Sequence, residues 1–291
     1  MFSDAKAFNS DLSKWDVAEV TSLRETFDGA SAFNSDLSAW DVTKVTKWER
    51  TFANTKSFNS DVSKWDVAKV TSLRETFNGA HAFTSDLSKW NVSKITGFHG
   101  LLRTFADAKL FNSDLSSWDV SKVTALLETF NGAFAFNSDL SAWDVSKIFN
   151  MDQTFANTKS FNSDLSKWDV SLVTSHKQFL NGAAGYTENT FFCDAKWSNK
   201  YLEVTDLEGS GIIDFSCRGV LLNANINMAV ADWFGSNATK KAVVDAHGAI
   251  GSWNVSKVTN MEKLFQNRIA FNADVSKWNT ASVTNMGSCT W

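Results

Sequence analysis

The sequence predicts a repeat solenoid of α+β type, a right-handed stack of rungs with one parallel β-sheet on one side and short helices or turns opposite. Three observations carry that prediction. A phenylalanine returns at Phe8, Phe33, Phe58, Phe83, Phe111, Phe136 and Phe161, every 25 residues apart from one step of 28. A tryptophan follows in the same register at Trp15, Trp40, Trp65, Trp90, Trp118, Trp143 and Trp168, and resumes at Trp253 and Trp278. The chain of 291 residues carries 24 Phe and 13 Trp against 2 Tyr, and no proline. A fixed period of this kind marks units that cannot bury their apolar face alone and must stack.

Within one unit, DLSKWDVAEVT places Leu12, Trp15, Val17 and Val20 in the pattern L-x-x-W-x-V-x-x-V, which is leucine-rich-repeat-like spacing. Trp15 and Val17 are two apart and predict one face of a short strand, with Lys14 and Asp16 on the other. Thr21 and Ser22 then start SLRETF, where Ser22 and Glu25 have capping-box spacing. Leu23, Phe27 and Ala30 fit one face of a short helix. A small-residue break ends it, and the next Phe turns the chain inward. The three extra residues of GFHGLLRTF (Gly97–Phe105) predict a bulge before the following rung.

Along the chain, residues 1–184 read as an array of seven such rungs. Residues 185–222 lose the period and read as an irregular insertion or linker. In 223–250, Ile226, Ala229, Val230, Trp233 and Phe234 fall at helical spacing and predict a capping segment. Residues 251–291 carry two further repeats of a second or a continuing array. Met1 falls at the repeat position of Thr26 and Thr51, so the chain starts and stops at nearly the same phase. That reads as a piece of a longer array, or as open rungs that stack head to tail in a larger assembly.

FNSDLSxWDVSxVT followed by TFxGA or LFxN resembles the BspA-like surface proteins, whose leucine-rich-like repeats are of the mycoplasma-lipoprotein type. The likeness covers 1–184 and 250–291. The family's Met after VT stands here at Met151, Met261 and Met286, and is Leu23, Trp48, Leu73, Leu126 or His176 elsewhere. The resemblance implies a non-catalytic protein at the cell surface or outside the cell, used in adhesion, protein binding or scaffolding.

Stacking turns each sequence position into a row. The predicted exposed sheet face carries Lys14, Asp16, Asp41, Lys64, Asp66, Lys89, Asn91, Asp119, Asp144, Lys167 and Asp169. Carboxylates repeated that closely repel, and the lysines two residues earlier offset them. An Asp/Lys binding surface and calcium held between neighbouring carboxylates are both readings of that face. A second row, Asn9, Asn34, Asn59, Asn112, Asn137 and Asn162 with their Asp partners, predicts loop closure by Asx side chains. The sequons Asn91, Asn237 and Asn254 mark glycosylation positions in a secreted protein. Cys193 and Cys217 are placed to form a disulfide with Cys289 left over, or all three are buried thiols. Trp197 and Tyr201 are the aromatics that a carbohydrate-binding adhesin would present from 185–235.

Composition removes several classes. A net charge of −4 and the lack of a basic stripe argue against nucleic acid. No apolar run reaches membrane-spanning length, and the first residues lack a cationic head with an apolar run. The four histidines have no metal-ligand spacing, and no nucleophile elbow or P-loop is present, so no enzyme and no cofactor is expected.

Overall fold

The computed structural model describes residues 1–186, 221 and 226–287. They fall in two compact units, 1–186 in the first and 221 with 226–287 in the second.

The first unit is a stack of rungs in which consecutive β-turns make up the chain. In the rung that begins at Leu12, N–H to C=O bonds close Leu12–Trp15, Val17–Val20, Leu23–Thr26, Phe27–Ala30 and Ala30–Phe33. Each joins residue i to i+3, the β-turn spacing. The same five turns recur from Leu37 to Phe58. The motif L-x-x-W-x-V-x-x-V is thus two turns and a linking residue, and its apolar positions are the turn ends.

This corrects the expected fold. No sheet and no helix forms among the described residues of this unit, and the parallel contacts are isolated bridges such as Ser22 with Lys47 and Ala125 with Asn150. The W-D-V strand is absent because Asp16 Oδ1 accepts the Ala18 N–H at 3.1 Å and Val20 N–H donates to Val17 at 2.8 Å, so the segment curls. The Leu23–Ala30 helix is absent for a different reason. The N–H groups of Leu23, Glu25, Phe27 and Gly29 donate to Lys47, Glu49, Thr51 and Ala53 of the next rung. A group committed to the next rung cannot close an i to i−4 bond. Glu25 and Gly29 also have φ of 54° and 75°, which no right-handed helix admits.

The core lies inside the rungs. Two phenylalanines of each rung stack on one another, as Phe27 on Phe33 at 4.0 Å, and on their counterparts above, as Phe27 on Phe52 at 5.6 Å. Offset stacking of this kind adds to the area the rings bury. In this unit each later Trp of the Trp15 row donates its indole N–H to a carbonyl of the rung before, from Trp40 to Leu12 at 3.0 Å and Trp168 to Leu140 at 2.8 Å. A buried Thr row does likewise: Thr51 Oγ1 donates to Leu23 O at 3.1 Å and Trp48 O at 2.7 Å. In the last described rung Phe179 fills that Thr position, and its ring meets Phe155 edge-on at 76°. The insertion Gly97–His99 is closed by a Gly100 to Gly97 bond of 3.4 Å, and the backbone register resumes where Leu73 donates to Gly100.

Among its described residues the second unit has two α-helices, α1 (Ile226–Trp233) and α2 (Asn237–His247). Ser236 caps α2 by accepting the Thr239 N–H, and Gly248, at φ 75°, ends it. Ile226, Ala229, Val230 and Val243 pack with Trp253, Val255, Val258 and Met261 of the rungs that follow. Trp253 donates to Gly248 O at 3.1 Å, so the end of α2 supplies the acceptor that a preceding rung supplies elsewhere. Trp278 donates to Ile250 O at 2.7 Å, 28 residues back as in the first unit.

Candidate interaction surfaces

The row Lys14–Asp169 is a series of Asx turns. Asp41 Oδ1 accepts the Thr43 N–H at 3.0 Å and its hydroxyl at 2.7 Å. Asp119 does the same with Ser121, and Asp144 and Asp169 accept the N–H of Ser146 and Ser171 at 3.1 Å. Asn91 holds Ser93 by its Oδ1 in the same geometry, so the change from Asp to Asn leaves the turn intact. Lys14, Lys64, Lys89 and Lys167 are exposed, as are these acids other than the half-buried Asp169.

Part of the row lines a recess. Lys64 and Asp66 of one rung and Lys89 and Asn91 of the next line a hollow of about 470 Å³ with Asp86, Trp65 and Val67. Asp86 is held below the ordinary carboxyl range by the backbone N–H of Ser88, then by the hydroxyls of Ser88 and Ser113, with Lys89 adding to them. Two cations and two anions lie at this opening with an apolar floor. It can take a chain bearing both signs of charge; among the described residues no three His, Cys, Asp or Glu gather as metal ligands.

Asn ladders join the rungs beside this row. Asn34 N–H donates to Asn9 Oδ1 and Asn59 N–H to Asn34 Oδ1, both at 2.7 Å. Asn91, Asn237 and Asn254 are exposed, Asn237 as the first residue of α2 and Asn254 in an Asx turn with Ser256. Cys193, Cys217, Cys289, Trp197 and Tyr201 lie outside the described residues.

A two-rung period escaped the sequence reading. FSDAKAF, FANTKSF, FADAKLF and FANTKSF alternate with FDGASAF, FNGAHAF and FNGAFAF. The structure gives the reason. A Cβ built on Gly29, Gly79, Gly132 or Gly182 would lie 2.5–2.9 Å from the side-chain oxygen of Asp4, Asn54, Asp107 or Asn157 in the rung before. An Asx in one rung therefore requires Gly in the next. The turn before shows a second alternation, in charge. Glu25, Arg50, Glu75, Arg103 and Glu128 share one left-handed backbone position. Arg50 pairs with Glu75 at 3.2 Å and with Asp28 at 2.7 Å, and Arg103 with Glu128 at 2.6 Å. Aligning the chain at about twice the rung length, rather than on single rungs, exposes both signals.

No curated protein matches the chain. Its repeats, on the other hand, match one family over residues 1–104, 85–195 and 230–289. The chain belongs to that family, described as Mycoplasma protein of unknown function, DUF285.

Proposed function

We propose that this is a non-catalytic repeat protein of the cell surface or extracellular space, of the BspA-like kind, that binds another protein through its Asx-turn face. The observation that carries the reading is the recess where Lys64, Asp66, Asp86, Lys89 and Asn91 from adjacent rungs converge on one opening. Every Asp of the row already accepts a backbone N–H, which fixes its carboxylate and lowers the entropy lost on binding. Mixed charge on a preformed surface gives orientation and specificity to a protein partner. The reading needs no cofactor, and adding calcium should leave thermal unfolding unchanged.

The test is binding of the purified chain to a panel of immobilised extracellular-matrix proteins, beside the variant K64E/K89E. Saturable binding by the wild type and a loss of at least about tenfold in the variant are expected, since rim and opening charges act through complementarity. Equal binding by both, or none to any member of the panel, overturns the reading.

A further inference from the structure

A different face of the first unit carries a second surface. The position two residues after the Asx/Gly corner is Lys6, Ser31, Lys56, His81, Lys109, Phe134 and Lys159 in successive rungs. The backbone holds this row in line. The carbonyls of Lys6, Ser31, Lys56, His81 and Lys109 accept N–H groups from Ala32, Ser57, Ala82, Leu110 and Ala135 of the following rung. The lysines therefore recur every second rung. Hydrogen-bonded parallel backbones lie about 4.8 Å apart, which sets the lysines about 10 Å apart and the row about 29 Å long.

These lysines differ from Lys44 and from the arginines of the charge-alternating row, and resemble Lys14, Lys64, Lys89 and Lys167 in being in no ion pair among the described residues. Arg50 and Arg103 are in ion pairs with acids of neighbouring rungs, and Lys44 pairs with Glu19. Lys6, Lys56, Lys109 and Lys159 are in no ion pair among the described residues. Lys109 and Lys159 instead reach the ring of Phe134 from the rungs on either side, each at 5.7 Å from its centroid. Phe134 is 38% exposed, and Leu110 beside Lys109 is 57% exposed. His81, between Lys56 and Lys109, is held below its ordinary value by burial first and by those two lysines next, with Asp107 opposing them. Asp4 and Asp107, two residues before Lys6 and Lys109, are the side chains seated over Gly29 and Gly132 of the next rung.

We infer that this row docks a linear acidic polysaccharide lying along the stack, with one anionic group per disaccharide facing each lysine and a sugar ring on Phe134. The match is one of period. A disaccharide repeat is comparable in length to two rungs, so a rigid row of single cations meets a charge at each step. Several weak contacts on one rigid body then add by effective concentration. An exposed aromatic ring flanked by cations offers an apolar platform for the C–H face of a sugar. Nucleic acid fits the row poorly, because its backbone charges are several times denser than one per 10 Å or so. The surface is distinct from the recess at Lys64 and Lys89, and the two readings stand or fall separately.

The experiment measures binding of the whole chain to immobilised hyaluronate, which carries one carboxylate per disaccharide, with neutral dextran as control. The wild type should bind hyaluronate, lose affinity as salt rises, and ignore dextran. K6Q/K56Q/K109Q/K159Q should lose at least about tenfold, and F134A should lose part of the affinity. K14Q/K64Q/K89Q/K167Q removes the same number of charges from the Asx-turn face and should stay within about twofold of the wild type. The substituted lysines are exposed except the half-buried Lys109, so both variants should stay folded, the K6Q/K56Q/K109Q/K159Q variant losing only the contacts of Lys109 and Lys159 with Phe134. No binding of hyaluronate, equal losses in the two variants, or binding to phosphatidylglycerol vesicles in place of hyaluronate overturns the inference.

Discussion

Between Phe33 and Val45 a rung meets its neighbours through side chains, while between Thr46 and Ala53 the backbone makes most of the bonds, joined by Arg50 and Thr51. In the first half, Leu37 N–H donates to Ser60 Oγ of the next rung at 2.7 Å, Trp40 Nε1 donates to Leu12 O, and Asn34 N–H donates to Asn9 Oδ1. In the second half the carbonyls of Lys47, Glu49, Thr51 and Ala53 accept from Leu23, Glu25, Phe27 and Gly29. The difference teaches how a sequence can be so repetitive. Where the backbone makes the bonds, the residue type is free within limits of backbone conformation, and the outward positions vary among Arg, Glu and Gln. Where side chains make them, Asn, Ser, Asp and Trp recur because each is a specific donor or acceptor.

The apolar core joins the two halves, and removing it gives the largest effect. Phe77 is fully buried, stacks on Phe83 at 4.1 Å within its rung, and on Phe52 and Phe105 at 5.8 Å in its neighbours. Phe77→Ala should cost roughly 3–5 kcal/mol, the range for an aromatic deleted from a packed core. Chemical denaturation gives that number, and hydrogen exchange shows which half opens. Amides of both halves in adjacent rungs should exchange faster together, as in a one-dimensional stack with nearest-neighbour coupling. Faster exchange confined to one half would show the halves to be independent.

The backbone half is sharpened by comparing two glycines with nearly the same φ. Gly132 (φ 72°) would bring a Cβ within 2.5 Å of Asp107 Oδ1, whereas Gly97 (φ 74°) has nothing within 4 Å. Gly97→Ala should cost roughly 1–2 kcal/mol, the left-handed penalty alone. Gly132→Ala adds overpacking and should cost roughly 2–4 kcal/mol. In the double variant G132A/D107A the excess should disappear, a coupling measurable by a double-mutant cycle. Additive losses would mean that the Asx/Gly alternation has another cause.

Two tryptophans do the same for the side-chain half. Trp90 Nε1 donates to Val62 O at 3.1 Å, while Trp48, in the slot of Leu23 and Leu73, is fully buried with no partner for its Nε1. Trp→Phe removes the same atoms at both positions. At Trp90 it also removes a hydrogen bond, although the Val62 carbonyl keeps the Trp65 N–H, so its loss should exceed that at Trp48 by roughly 0.5–1.5 kcal/mol. Equal losses in thermal unfolding would reduce the Trp row to a packing device.

How much of this was legible in the sequence follows from the same contrast. The rows, the buried identities of Leu12, Trp40, Val42 and Phe33, and the Asn ladder could be read because each is one residue type at one period. The local structure could not, since i, i+3 spacing in L-x-x-W and V-x-x-V serves a turn as well as a helix, and the period-2 alternation of W-D-V serves the ends of two turns as well as a strand. What separates them is where the N–H groups go, and that is decided by the neighbouring rung. Left-handed Glu25, Arg50 and Glu75 gave no signal either, because their type alternates with charge and not with backbone conformation. In the candidate surface, Lys64 and Asp66 could be placed on one row, but the recess they form with Asp86 depends on turn curvature.

The smallest effect concerns the aspartates that begin the Leu-x-x-Trp turns. Hydrogen bonds from the serine two residues on hold these carboxyls below their ordinary range, the hydroxyl first for Asp61 and the backbone N–H first for Asp86 and Asp114. A carboxyl lowered in the folded state contributes stability that is complete above its unfolded value, about 3.9, and is lost as pH falls through the folded value. Thermal stability should therefore decline below about pH 4. In D61N/D86N/D114N the amide oxygen can still accept the serine groups, as Asn91 does from Ser93 and Asn254 from Ser256. The variant should unfold close to the wild-type temperature at pH 7 and lose less on acidification. If it instead unfolds well below the wild type at neutral pH, the turn needs charge and not only an acceptor. The side-chain half would then rest on the charge of its aspartates, and not on their capacity to accept hydrogen bonds alone.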